Sequence, residues 1–141
     1  MNDARMNDPR SIIRARPNGE IRYAVVVESR NDMARVLGKF GLTPDPSLLI
    51  EHDRETAFAI LRALLWKDMA FESECMPLSQ AEEIARNLLQ QHSAPESKFY
   101  SNGDWSKGEG WSPLTNSTFD SGLIVARGDG TYFCVWFEDE D

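Results

Sequence analysis

The sequence predicts an α+β fold: an antiparallel sheet built from N- and C-terminal β-hairpins, with three helices packed on it. Three observations predict it. Asn18-Gly19 near the start and Gly128-Asp129-Gly130 near the end each stand between runs of alternating apolar residues, the signature of a tight hairpin. The segments between them carry apolar residues at i, i+3, i+4 and i+7, the spacing of one helix face. The order of strands, helices, strands then favours an antiparallel sheet with helices segregated to one face.

Residues 1–10 are polar and without periodicity and read as a disordered tail, which leaves 11–141 as one domain. The first hairpin joins Ser11–Arg16 to Ile21–Glu28 through Pro17-Asn18-Gly19-Glu20. In its second strand Ile21, Tyr23, Val25 and Val27 share one face, while Ala24 and Val26 make the other half apolar, as in a strand covered on both sides. Asn31 is placed to cap a short helix whose stripe is Met33, Val36, Leu37 and Phe40; Gly41 ends it and Pro44 and Pro46 forbid its continuation. A second helix runs from about Asp53 to Trp66, with Ala57, Ile60, Leu61 and Leu64 inward. Met69–Met76 reads as a short strand. In the third helix Ser79 and Glu82 have capping-box spacing behind Pro77, and Ala81, Ile84, Ala85, Leu88 and Leu89 form the stripe. A polar stretch from His92 to Thr118 precedes the closing strands, Gly122–Arg127 and Thr131–Phe137.

The chain has 141 residues and a net charge of −8. That charge is uneven: residues 1–42 hold 8 Lys/Arg against 5 Asp/Glu, a net +3, and residues 43–141 hold 7 against 18, a net −11. So acidic a segment repels phosphates, which argues against direct nucleic-acid binding, and its field speeds the approach of a basic protein. No apolar run reaches the roughly 18 residues of a membrane span, and the N-terminus lacks the apolar core of a signal peptide. Two cysteines, Cys75 and Cys134, are too few for a disulfide framework and read as reduced thiols, consistent with the cytoplasm.

Chemistry-bearing patterns are scarce. Of the two histidines, His52 precedes a helix start, and His92 ends the third helix, where a cation suits the helix dipole. No nucleophile elbow, zinc spacing or phosphate-binding glycine loop accompanies them. Asn102-Gly103-Asp104-Trp105-Ser106 starts like a calcium loop but has Lys107 at the glycine position and Pro113 at the glutamate position. Glu72 and Glu74 would share one side of the predicted strand, with no histidine or metal motif beside them. The reading is therefore of a binding protein without cofactor or metal, not an enzyme; a small cofactor-free hydrolase is the lesser alternative.

The segment 98–120 is long for a connection and carries Phe99, Tyr100, Trp105, Trp111 and Phe119 among glycines. Tryptophan is a frequent energetic anchor of protein interfaces. The same rings could instead fold back as a lid over the core. On the binding alternative the partner-binding residues are Trp105 and Trp111, flanked by Asp104, Glu109 and Asp120, together with the acidic end Glu138, Asp139, Glu140 and Asp141.

The stretches Trp111-Ser112-Pro113-Leu114-Thr115, Thr118-Phe119-Asp120 and Trp136-Phe137-Glu138-Asp139-Glu140-Asp141 carry a resemblance. In a small acidic α+β chain with an aromatic loop, they look like endings of immunity proteins from bacterial contact-dependent inhibition and polymorphic toxin systems. The resemblance implies a monomer when free that neutralises a cognate basic toxin domain, such as a nuclease, by occluding its active site. A general interaction or regulatory module is the alternative.

Overall fold

A computed structural model describes residues 16, 19–108 and 111–140. The chain order is β1 (Glu20–Val27), α1 (Met33–Phe40), β2 (Ile50–His52), α2 (Arg54–Trp66), α3 (Leu78–His92), β3 (Lys98–Ser101), β4 (Phe119–Ala126) and β5 (Thr131–Asp139). The strands form a five-stranded sheet in the order β1-β5-β4-β3-β2, antiparallel throughout. The fold is α+β, as the sequence predicts.

The closing hairpin stands where the sequence places it. Gly128 and Gly130 take positive φ (92° and 87°) at its turn, conformations open to glycine at little cost. On its other side β5 pairs with β1, from Glu20 opposite Glu138 to Val27 opposite Thr131. The two ends of the described chain therefore meet in one ladder. The predicted tail and the strand Ser11–Arg16 lie outside the described residues, Arg16 excepted, as do Pro17 and Asn18 of the first turn.

The helices do not lie on one face. α2 and α3 cover the side that carries Phe99, Leu123, Val125, Phe133, Val135 and Phe137. α1, with Leu42 and Leu114, covers the side that carries Ile124, Tyr132, Cys134 and Trp136. The physical reason is the composition of β4 and β5, which are apolar at both odd and even positions. A single helical layer would leave Trp136 and its neighbours in water. Gly122 belongs to this packing: a Cβ there would run into the Val135 carbonyl and the Trp136 ring.

Local chemistry sets most helix ends. Asp32, rather than Asn31, caps α1 by accepting from Arg35 N at 3.3 Å. Gly41 ends that helix in the left-handed region, with Gly41 N–H on Gly38 O and Leu42 N–H on Leu37 O, a Schellman closure. Asp53 caps α2 through Thr56 N at 2.8 Å. The capping box of α3 does not form. The helix begins at Leu78 behind Pro77, so Ser79 already lies inside the first turn and makes no cap bond. The apolar stripes of all three helices are otherwise buried as predicted, with Met33 partly so.

Three expectations fail for tertiary reasons. Met69–Met76 is a turn, not a strand, with one isolated bridge between Lys67 and Glu74. Two short strands, β2 and β3, occupy stretches with no strand signal of their own; each gains its ladder from a neighbour. His92 is not an exposed dipole partner. It is buried, stacked on Phe133 at 4.0 Å, with Nε2 2.9 Å from the Tyr23 hydroxyl, and burial, then Arg127, pushes its pKa down. No helix among the described residues is long and apolar enough to cross a membrane.

Candidate functional site

The long connection between β3 and β4 is folded around one carboxylate. Asp120 is fully buried. Its oxygens accept from Leu114 N (3.0 Å), Thr115 N (3.2 Å), Thr115 Oγ1 (3.0 Å) and Trp136 Nε1 (3.0 Å). Asn102 closes the base of the loop, donating to Ser112 O and Asp120 O at 3.0 and 2.8 Å. Asp104 is also buried and starts a 3-10 turn by accepting from Ser106 N at 3.1 Å and Ser106 Oγ at 2.5 Å. Neither aspartate is a rim charge: each is spent on holding backbone donors that would otherwise be unpaired. Glu109 lies outside the described residues.

The indoles of the loop are drawn together. Trp105 meets Trp111 edge to face at 5.1 Å, and Trp111 stacks on Phe119 at 5.5 Å. Trp105 and Phe119 pack against the core shared by α2 and α3, so the loop acts as a lid at this end of the sheet. All three rings stay partly exposed. The lid packing leaves open a groove of about 460 Å³, lined by Trp105, Phe119, Trp66, Asp68, Phe71 and Glu72.

The acidic end is mostly internal. Asp139 is buried and accepts from Arg16 Nη1 and Nη2 at 3.0 and 2.5 Å and from Met69 N at 2.9 Å. Arg16 Nε in turn donates to Leu64 O at 2.7 Å. Glu138 is buried too, against Arg22 Nε at 2.6 Å and Ser117 Oγ at 2.8 Å. Predicted as open rim charges, both are corrected to interior ion pairs. The basic first part of the chain supplies the arginines, and two carboxylates desolvated in the ladder need them. Glu140 is exposed and accepts from Thr118 Oγ1 and then Thr118 N, which holds its carboxyl below the usual range. Asp141 lies outside the described residues.

One aromatic residue stands out that the sequence does not single out. Phe71 is 68% exposed at the tip of the 67–76 turn. The turn is rigidly built: Asp68 Oδ1 accepts from Phe71 N at 2.6 Å, Glu72 N reaches Asp68 O at 3.1 Å, and Glu72 takes a positive φ of 55°. Asp139 clamps it from below through Met69 N. Phe71 thus divides the aromatic groove from a hollow of about 360 Å³ lined by Asp68, Ser73, Asp139 and Glu140. In sequence, the alternation of Met69, Phe71 and Ser73 imitates a strand, and only Asp68, a favoured turn starter, hints otherwise.

The groups weighed for catalysis are scattered. His52 sits on the edge strand β2, His92 in the core, and Glu72 and Glu74 on a turn rather than on one strand. Among the described residues no three of His, Cys, Asp and Glu gather where they could hold a metal ion. Cys134 is buried, which pushes its thiol up to about 12, and Cys75 is half-buried and also raised by burial. Compared with protein-family models, curated proteins and solved structures, the chain matches none.

Proposed function

We propose that this protein is a cytoplasmic binding protein of the immunity type, which captures a basic partner domain such as a toxin nuclease and covers its active site. The observation that carries the reading is Phe71: a large apolar ring, 68% exposed on a hydrogen-bonded turn, between an aromatic groove and a hollow that the exposed Glu140 helps to line. An exposed aromatic on a turn whose backbone is already hydrogen-bonded has less backbone ordering entropy to lose on binding, which favours an interface anchor. Glu72 and Glu140 flank it, exposed, and the net charge of −8 draws a cationic partner from a distance. The partner-binding surface is thus proposed as Phe71, Trp105, Trp66, Glu72 and Glu140, with Trp111 acting behind Trp105.

The test is a pull-down from the native strain to identify the basic partner, followed by surface-plasmon kinetics against it at two salt concentrations. Phe71→Ala speeds dissociation by about thirtyfold, the equivalent of about 2 kcal/mol. Glu72→Gln with Glu140→Gln slows association and flattens its salt dependence, since long-range attraction steers the encounter. Unchanged rates in both variants would reject the proposed surface. Failure of the protein to rescue cells from the toxin, with binding intact, would favour a general interaction module.

A further inference from the structure

A second charged surface lies on the helical layer and has the opposite sign. α2 and α3 leave between them an open groove of about 560 Å³, lined by Arg54, Glu55, Phe58, Arg86, Leu89 and Gln90. The Arg62 guanidinium stands 5.3 Å and that of Arg86 5.8 Å from the centre of the Phe58 ring. Arg54 lies over Phe99 at 5.1 Å and is held by Ser93 Oγ and Ala94 O at 2.6 and 2.8 Å. The ring contacts hold these planar cations against the apolar floor; Arg54 is engaged by Ser93 and Ala94, whereas no hydrogen bond among the described residues engages Arg62 or Arg86.

Acidic neighbours are at hand and are not used. Glu55 lines the groove, and Glu82 precedes Arg86 by one helical turn, yet neither lies within salt-bridge distance of the three arginines among the described residues. Arg16, Arg22 and Arg35 are matched to carboxylates, whereas Arg62 and Arg86 stand together over one ring without one among the described residues. Two arginines over a half-buried phenylalanine, with Arg54 nearby over Phe99, form a local cationic patch on a protein of net charge −8.

We propose that this groove docks an acidic, apolar-bearing protein segment: carboxylates engage Arg62 and Arg86, and an aliphatic or aromatic side chain lies along Phe58 and Leu89. Charge complementarity selects carboxylates, and the apolar floor selects a peptide over a polyphosphate. A long nucleic acid would also bring its backbone charge against the rest of an acidic surface. Arginine beside an aromatic ring is the composition that interfaces favour. The site is separate from the Phe71 groove, so the protein has two docking surfaces of opposite electrostatic preference.

The test is a titration of isotope-labelled full-length protein, followed by NMR, with a short peptide that alternates Asp or Glu with Leu and Phe. A second titration uses an oligothymidylate. Saturable peptide shifts gather on the amides of 54–62 and 86–90. Arg62→Glu with Arg86→Glu weakens the binding by about tenfold or more, at an unchanged melting temperature. Lys98→Glu reverses an exposed lysine of β3 away from this groove and leaves peptide binding as it is. Absent shifts, shifts gathered elsewhere, or insensitivity to the double reversal would overturn the proposal. Oligothymidylate binding the same residues as tightly as the peptide would overturn it in favour of a phosphate surface. None of these outcomes depends on the toxin partner.

Discussion

At the scale of single residues, what a carboxylate does here depends on what it touches. Asp120 and Asp139 are buried and satisfied, and Glu140, one residue on, is in water. Glu28, just past β1, shows the energetic side. It is buried, with Lys39 Nζ at 2.9 Å and Arg35 Nε at 3.1 Å, both from α1, and Arg30 N at 3.0 Å. The Lys39 hydrogen bond first, then that from Arg30 N, holds its pKa at about 2, down from 4.5. A carboxyl depressed on folding stabilises the folded state fully above its unfolded pKa and loses that contribution as pH falls through the folded one. The melting temperature of the wild type therefore falls between pH 4.5 and about 2 more steeply than that of Glu28→Gln, as thermal melts across that range would show. Parallel slopes would mean that Glu28 contributes nothing to the acid response.

Among the elements, the helices are readable in sequence to the extent that their ends depend on neighbours in sequence. α1 and α2 begin at capping aspartates and α1 stops at Gly41, all local events. α3 carries a capping-box spacing that the fold does not use, because Pro77 starts the helix two positions too early. The two cases separate experimentally. Asp53→Ala costs about 1 kcal/mol in urea unfolding, because Thr56 N loses its acceptor. Ser79→Ala stays within about 0.5 kcal/mol of wild type, because no cap bond is lost. A cost at Ser79 equal to that at Asp53 would show the capping box formed in solution. The 67–76 turn and the strands β2 and β3 are the converse. Their conformation rests on partners 24 or more residues away, Asp139 for the turn and β4 for β3, which no local pattern encodes.

For the molecule as a whole, the division of charge along the chain is undone in three dimensions. The basic first part supplies Arg16 and Arg22, which pair with Asp139 and Glu138 of β5. Arg16 does three things at once: it pairs with Asp139, holds Leu64 O at the last turn of α2, and lies over Phe137 at 5.1 Å. Because Asp139 also clamps the turn that carries Phe71, Arg16 is coupled to the proposed binding surface. Arg16→Met leaves a buried carboxylate without its cation and costs about 3–5 kcal/mol in urea unfolding. It also raises amide exchange at 68–72 beyond that of the sheet. Loss of stability with no added exchange there would mean that Asp139 holds the turn unaided.

The sequence by itself determined the class of fold, the three helices with their buried stripes, the closing hairpin and the poverty of catalytic motifs. Each depends on period, turn chemistry or composition within about a dozen neighbouring residues. Trp105 and Trp111 were legible as candidates because large aromatics in a glycine-bearing loop are rare, although their role as a partial lid was not. Only the tertiary structure decided that helices cover both faces, that Asp120, Glu138 and Asp139 are interior, and that Phe71 faces water. Burial is a property of what the rest of the chain places on a residue. A carboxylate on a strand therefore reads the same in sequence whether it will meet solvent or a guanidinium from 123 positions away.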